Sequence, residues 1–257
     1  MEIQRGNVNL EVAAETERAQ REDEKQPSKQ HYGSFLTLGV AALLPYDCMI
    51  VPVDYWSQFY PQIFMSVLSF TYSIVGVVVV ALMTWKGYKL NYNIHIYTAL
   101  AFWFFALVFI PLCYLFTKNK TVLMWITLIP IVLSGVGNGT YYSTLVGYAS
   151  KLNPLYAQAI SAGQGVAGLI PQLILILIKG IVQAIGQSQE DYEDQLYYST
   201  LVYFAFGAVF ILVSIFVWKR VEAKTRLEVQ RADVEATINR KMVVVGNEPG
   251  FNTKSVW

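Results

Sequence analysis

The sequence predicts an all-α polytopic membrane protein with six transmembrane helices. Of its 257 residues, 54% are hydrophobic and only 14% are charged, whereas soluble domains usually carry about a quarter charged residues. Six apolar segments each reach the roughly 20 residues that a spanning helix needs. None of them alternates apolar and polar residues as a membrane β-strand does, so the predicted class is all-α.

The six predicted spans make up the central domain, residues 34–218. In chain order they are residues 34–54, 60–84, 94–117, 121–149, 156–185 and 196–218. The first 33 residues contain no apolar signal-peptide core and mix acids with bases, which predicts a disordered cytoplasmic arm. Residues 219–257 are predicted to form a charged cytoplasmic tail that is partly helical, because a thin apolar stripe runs through its first half.

The distribution of basic residues predicts the orientation in the membrane. The arm, the 85–93 loop, Lys151 and the tail together hold 16 of the 19 Lys and Arg residues. Basic residues gather on the cytoplasmic side of membrane proteins, so we expect both termini to be cytoplasmic. The 186–195 loop is acidic, which is compatible with a position on the outer side because the rule concerns basic residues.

The first span contains a proline and a carboxyl group. Pro45 has no backbone N–H and favours a kink, and Asp47 follows it. Ionisable groups at membrane depth are costly and usually have a specific role. Two interpretations stay open: a bent helix whose Asp47 carboxyl bonds a neighbouring helix, or a carboxyl group that lines a solute path.

The fourth span carries glycines at close spacing, among them Gly135 and Gly139. A nucleotide-phosphate loop would need a strand before the glycines and a helix after them, and these glycines lie inside one apolar span. Small residues instead let neighbouring helices approach closely. We therefore predict helix packing here, with Asn138 or Tyr142 facing a cavity.

The fifth span begins with a run of small residues around one amide. Gln164 lies among Gly163, Gly165 and Gly168. A primary amide at membrane depth needs a hydrogen-bonding partner or a ligand. The glycines permit close approach of a helix or of a flat solute, so both packing and substrate contact are open interpretations of Gln164.

Catalysis and metal binding have no support in the sequence. An enzyme of this class needs a nucleophile with a base, or clustered metal ligands, at matching depth. Cys48 and Cys113 fall separately within predicted spans, and neither histidine lies deep in one. We predict a non-enzyme with no catalytic residues, no metal site, no cofactor and no nucleic-acid partner. A solute pathway through the lipid bilayer is the prediction that remains.

Two blocks of the sequence together resemble the equilibrative nucleoside transporter family. The first is the run 38–47, Leu-Gly-Val-Ala-Ala-Leu-Leu-Pro-Tyr-Asp, followed by Asp54-Tyr55. The second is Gly147-Tyr148-Ala149, then Tyr156, then the run 161–168, Ser-Ala-Gly-Gln-Gly-Val-Ala-Gly. The order and separation of the blocks make the resemblance specific, and it extends over nearly all of residues 34–220.

The resemblance implies facilitative movement of nucleosides or nucleobases by alternating access. It implies a bundle like the amino-terminal half of major facilitator transporters. Tyr46 would take the place of the family's first-helix tryptophan and Asp47 that of the adjacent asparagine. Gln164 would contact the nucleoside, and Ile50 would line the same face. Because Asp47 is titratable where the family has a neutral amide, we hypothesise that transport depends on pH.

The length of the chain departs from the family pattern. Such transporters place the substrate between two helix bundles, and no second bundle follows residue 218. We expect a fragment or short gene product, or assembly with a second copy or a second half-transporter. The alternative function is a non-transporting homologue that acts as a membrane partner or regulatory subunit. We expect a multi-pass protein of the plasma membrane, with an intracellular membrane as the alternative.

Overall fold

A computed structural model describes residues 29–86, 91–185 and 192–246 of the chain. These residues form eight α-helices and no strand. The predicted arm up to residue 28 and the end of the tail, 247–257, lie outside the described residues. The helices are α1 (Lys29–Ile50), α2 (Val53–Phe59), α3 (Phe64–Lys86), α4 (Tyr92–Phe116), α5 (Lys120–Leu152), α6 (Pro154–Ala167), α7 (Ile170–Ile185) and α8 (Tyr192–Gly246).

Six stretches of the described helices are long and apolar enough to cross a membrane. The predicted all-α membrane fold with six spans is thereby confirmed. The orientation of the termini stays a prediction. The six stretches are His31–Ile50, Phe64–Trp85, Tyr92–Phe116, Lys120–Leu152, Pro154–Ile181 and Tyr192–Arg231.

The helix boundaries differ from the predicted spans at three places. Helix α1 begins at Lys29, so the last five residues of the predicted arm are helical. The predicted span 156–185 is two helices, because the chain turns at residues 168 and 169 between α6 and α7. The last span continues without interruption through the predicted tail as far as Gly246. Hydropathy marks where apolar residues stop, whereas a helix continues for as long as its backbone hydrogen bonds do.

Helices α1 and α5 lie at the centre of the bundle. Helix α1 packs mainly on α6 and α8, and α5 packs on α3 and α4. Buried side chains donate to backbone carbonyls or hydroxyls of neighbouring helices, which satisfies polar groups away from water. Three such bonds are Tyr141 Oη to Leu38 O (3.1 Å), Trp103 Nε1 to Ser134 O (3.1 Å) and Tyr148 Oη to Thr225 Oγ1 (2.7 Å).

The short helix α2 covers one end of the bundle, which we call the α2 end. Helix α1 stops at Ile50 because Pro52 cannot continue it. The indole Nε1 of the buried Trp56 donates to the carbonyl of Met49 at 2.7 Å, one of the carbonyls that the helix end leaves without a partner. Trp56 thus holds α2 against the end of α1.

Further polar contacts fix α2 to three other helices. Gln58 accepts from Lys120 of α5 through its backbone carbonyl and donates to Glu193 of α8, both at 2.7 Å. Asp54 forms an ion pair with Lys179 of α7. The pair explains how a lysine is accommodated near the end of an apolar helix, since its charge is matched at the boundary of the span.

Tyr60, just after α2, connects this end to α5. Its phenol lies 2.9 Å from the Thr127 hydroxyl, which donates to the carbonyl of Leu123 at 2.8 Å. Burial raises the pKa of Tyr60 well above its ordinary value, so the phenol stays protonated. Because the one hydroxyl proton of Thr127 goes to the Leu123 carbonyl, Tyr60 is the donor to Thr127.

Candidate functional site

Helices α1 and α6 touch through their backbones, and the contact defines their register. The Phe35 and Tyr156 rings stack with centroids 4.9 Å apart. A Cβ added to Gly39 would lie 2.2 Å from the carbonyl oxygen of Ile160, and one added to Gly163 would lie 2.2 Å from that of Leu36. The two helices therefore run parallel, and Gly39 and Gly163 lie at their closest approach.

Gln164 lies at a different depth from Tyr46. The contacts of Gly39 and Gly163 place Gln164 level with the residues just after Gly39. Tyr46 is about five residues further along α1, which corresponds to roughly 7 Å at about 1.5 Å per residue. Gln164 is half-buried, and in the described part of the chain its side chain makes no hydrogen bond. The two predicted substrate contacts are on adjacent helices but do not meet.

The five predicted packing glycines differ in their surroundings. Gly163 packs against α1, whereas Gly135 and Gly139 lie against α3. A Cβ added to Gly135 would be 3.0 Å from the carbonyl oxygen of Tyr72, and one added to Gly139 would be 2.7 Å from that of Gly76. Among the described residues, an added Cβ on Gly165 would meet nothing within 4 Å, and one on Gly168 only a carbonyl oxygen at 3.7 Å. Close packing thus involves three of them.

Tyr46 lines a cavity of about 390 Å³ between α1, α3 and α5. Its ring stacks on that of Tyr72, with centroids 4.5 Å apart and planes inclined by 23°. Val77 of α3 is 69% exposed, so the cavity opens on the face of the bundle. Ligand sites typically have several hundred Å³ and mostly apolar walls with a few polar groups. The lining residues are Leu43, Tyr46, Tyr72, Ser73, Gly76, Val77, Val80 and Asn138.

Asn138 contributes a side-chain amide to the lining of this cavity. It follows Gly137 on α5 and packs against α3, where a Cβ on Gly76 would lie 3.3 Å from its Nδ2. Its position inside a glycine-rich span was the signal that predicted a cavity-facing group. Tyr72 carried no such signal, because an aromatic residue in an apolar span usually packs in the core.

Asp47 is half-buried, and its buried Oδ2 has no hydrogen-bond partner among the residues that the structure describes. Tyr72 stacks on the neighbouring Tyr46, and Tyr203 lies one turn before Gly207 of α8, where an added Cβ would be 3.0 Å from the Cys48 Sγ. In the described part of the chain, the buried phenol oxygens of Tyr72 and Tyr203 likewise have no hydrogen-bond partner. Three unsatisfied polar groups thus come from α1, α3 and α8. Buried polar groups are nearly always paired with protein, water or ligand, so this cluster is suited to a polar guest. Ile50, the last residue of α1, is half-buried.

The α6–α7 pair is interrupted at about the depth of Tyr46, where the continuous helix α1 contains a proline. Pro45 is buried inside α1, and the register places it near Gly168, where α6 ends. Pro171, near the start of α7, has no N–H to give to the carbonyl of Ala167. Interrupted helices near the middle of the membrane are typical of substrate sites in transporters, where freed backbone groups line a cavity.

Comparison with known proteins identifies several relatives. Equilibrative nucleotide transporter 1 of Arabidopsis thaliana is 28% identical over 198 residues, which is 74% of this chain and 42% of that protein. Equilibrative nucleotide transporter 8 of the same plant is 29% identical over 148 residues, 55% of this chain and 38% of that protein. Equilibrative nucleoside transporter 4 of Homo sapiens is 28% identical over 165 residues, 61% of this chain and 31% of that protein.

This chain is homologous to equilibrative nucleoside and nucleotide transporters. The resemblance predicted from the two sequence blocks is confirmed. The matched part of the chain spans less than half the length of each of these relatives. No family model matches the chain, and no solved structure matches it.

Proposed function

We propose that this chain takes part in the facilitative transport of nucleosides or nucleobases across a membrane. The observation that carries the proposal is the similarity to proteins named as equilibrative transporters, which extends over as much as 74% of the chain. The six apolar helices fit a multi-pass carrier. The open cavity at Tyr46 supports the assignment of a solute path to the bundle.

The chemistry of the cavity suits a nucleobase. Tyr46 offers a flat aromatic surface, and stacking of a base on such a ring is worth about 1–3 kcal/mol in single-strand binding proteins. Asn138 offers a donor and an acceptor side by side, the pattern with which amides bind the edge of a purine. A carrier must also release its cargo, so a few contacts of this strength are sufficient.

Transport by alternating access requires a second wall. In transporters of this kind the substrate lies between two helix bundles that rock around it. A second set of helices, in the same polypeptide or in a second copy, would provide that wall opposite the Tyr46 cavity. The half-buried Gln164, without a hydrogen bond in the described part of the chain, is a further candidate contact there.

Uptake of radiolabelled adenosine and uridine in a transport-deficient cell tests the proposal. Loss of a stacking contact predicts that Tyr46→Ala lowers uptake about tenfold. Tyr192→Ala is the matched control, since Tyr192 is exposed at the start of α8. Gln164→Ala is also expected to lower uptake, with Gln158→Ala on the exposed side of α6 as its control. Wild-type uptake equal to an empty vector, despite surface expression, would favour the non-transporting partner.

The pH dependence of uptake tests the role of Asp47. By resemblance, the family has a neutral asparagine at this position, and a protonated Asp47 is neutral too. The charged form would lie among buried phenols with no counter-ion in the described part of the chain. Uptake should therefore rise as the pH falls, and Asp47→Asn should have high uptake and a flat pH profile. Asp194→Asn, at an exposed position of α8, should keep the wild-type profile. Equal pH profiles for wild type and Asp47→Asn would remove Asp47 from the mechanism.

A further inference from the structure

Three serines of α3 lie on one face of the helix and lead to the Tyr46 cavity. They are Ser66, Ser69 and Ser73, and we call them the serine stripe. Residues three and four apart share a helix face, and all three are exposed or half-buried. Ser66 lies in the first turn of α3, which begins at the α2 end, and Ser73 lines the cavity. The stripe thus covers about 10 Å between the α2 end and the cavity, at about 1.5 Å per residue.

The hydroxyls of the serine stripe make no hydrogen bond in the described part of the chain. A serine or threonine inside a helix can donate to the carbonyl four residues earlier. Thr84 of the same helix donates in this way to Val80 at 2.9 Å, and Ser143 of α5 donates to Gly139 at 2.7 Å. Lipid chains offer no partner to an unpaired hydroxyl, which makes such contact costly. The stripe is therefore suited to contact with water or a polar solute.

A buried phenol points to a polar guest at the inner end of the stripe. Tyr72 directly precedes Ser73 and lines the same cavity. It is only 4% exposed, and its Oη has no hydrogen-bond partner among the described residues. Because buried polar groups are nearly always paired with protein, water or ligand, a hydrogen-bonding guest is expected where the stripe meets the cavity.

The neighbouring face of α3 has a different chemistry. Ile74 and Val78 are exposed large apolar residues, and neither lines the cavity. Each residue turns the helix by about 100°, so Ile74 faces away from Ser73 at nearly the same depth. One side of α3 thus presents apolar side chains suited to lipid, and the adjacent side presents hydroxyls.

We propose that the serine stripe lines the path by which a solute reaches the Tyr46 cavity from the α2 end. A hydroxyl both donates and accepts, so serines can replace the water around a neutral, hydroxyl-bearing solute such as the sugar of a nucleoside. The second set of helices proposed for the cavity would form the opposite side of this path. The inference rests on the proposed function for the identity of the solute, whereas the existence of the path is tested without transport.

The test measures how fast a membrane-impermeant methanethiosulfonate reagent labels single cysteine variants of the full chain. Ser66→Cys, Ser69→Cys and Ser73→Cys probe the stripe, and the exchange of oxygen for sulfur changes the side chain little. Ile74→Cys and Val78→Cys are the matched controls on the apolar side of the same helix. Unsealed membranes from expressing cells allow the reagent to reach both sides.

Wild type serves as the blank, because its two cysteines, Cys48 and Cys113, are buried. The thiolate is the reacting form, and a charged thiolate is favoured in water and not in lipid. We therefore expect the serine-stripe variants to be labelled at least about tenfold faster than the two controls. Equal rates on the two sides of α3, or rates in the serine-stripe variants no higher than in wild type, overturn the proposal.

Adenosine distinguishes the path from the proposed function. At a saturating concentration it should slow the labelling of Ser73→Cys at least about twofold, because a ligand in the cavity covers its lining. Fast labelling of the stripe without protection by adenosine supports the path and counts against a nucleoside as its solute. Adenosine uptake together with equal labelling on both sides of α3 supports the proposed function and overturns the path.

Discussion

The sharpest test of the helix packing compares two glycines that are two residues apart on α6. In Gly163→Ala the new Cβ would lie 2.2 Å from the carbonyl oxygen of Leu36 and 2.8 Å from the backbone nitrogen of Val40. Both neighbours are backbone atoms, so relief requires α1 and α6 to move apart. In Gly165→Ala the new methyl group meets nothing within 4 Å in the part of the chain that the structure describes.

The two substitutions should change the free energy of unfolding in different directions. Overpacking a tight contact costs typically about 1–3 kcal/mol, and separation of two long helices puts Gly163→Ala at the upper end of that range. Gly165→Ala should be neutral or stabilising by up to about 1 kcal/mol, because alanine favours a helix over glycine.

Thermal unfolding of the detergent-purified protein, followed by tryptophan fluorescence, measures the difference. A loss of about 2–3 kcal/mol corresponds to a fall in Tm of roughly 4–12 °C for a chain of this size, with Gly165→Ala at or above wild type. A Tm for Gly163→Ala within about 1 °C of wild type, or an equal fall in both variants, would refute the backbone contact between α1 and α6.

Two further predictions concern the α2 end. Trp56→Phe keeps the aromatic packing but leaves the Met49 carbonyl without its 2.7 Å bond, so the free energy of unfolding should fall by about 1–3 kcal/mol. The control Trp125→Phe, at an exposed tryptophan, should leave the free energy of unfolding unchanged. Similar losses in both variants would argue against the bond. Asp54→Asn removes the ion pair with Lys179. Because Asp54 is 57% exposed, the free energy of unfolding should fall by less than about 1 kcal/mol, and the difference from wild type should shrink at high salt. A difference that is independent of salt would show instead that the pair is shielded from solvent.

The sequence was sufficient to predict an all-α membrane protein because few backbone structures can cross a bilayer. A segment of about 20 apolar residues must satisfy its own backbone, so the six spans follow from hydropathy. The resemblance to transporters depended on local runs such as 161–168, which are read directly from the residues. These features do not require knowledge of which helix packs against which.

The arrangement of the site needed the structure, because it depends on which way each helix faces. Gly163 and Gly165 are equivalent in sequence, yet one lies in a backbone contact and the other in open space. Likewise, the depth of Gln164 relative to Tyr46 follows from the register of α1 on α6, which hydropathy does not encode. Tyr72 enters the cavity only because α3 lies beside α1.

The unbroken course of α8 has a practical consequence for imaging this small membrane protein. Its 55 residues correspond to about 80 Å, against a hydrocarbon core of about 30 Å. Val221, Thr225 and Val229 are buried beyond the apolar run, so the protruding part is held to the bundle. A rigid helical fusion protein joined in register after Val229 would keep a fixed orientation relative to the transmembrane helices. It would lie outside the detergent micelle, where it could be used to align particle images.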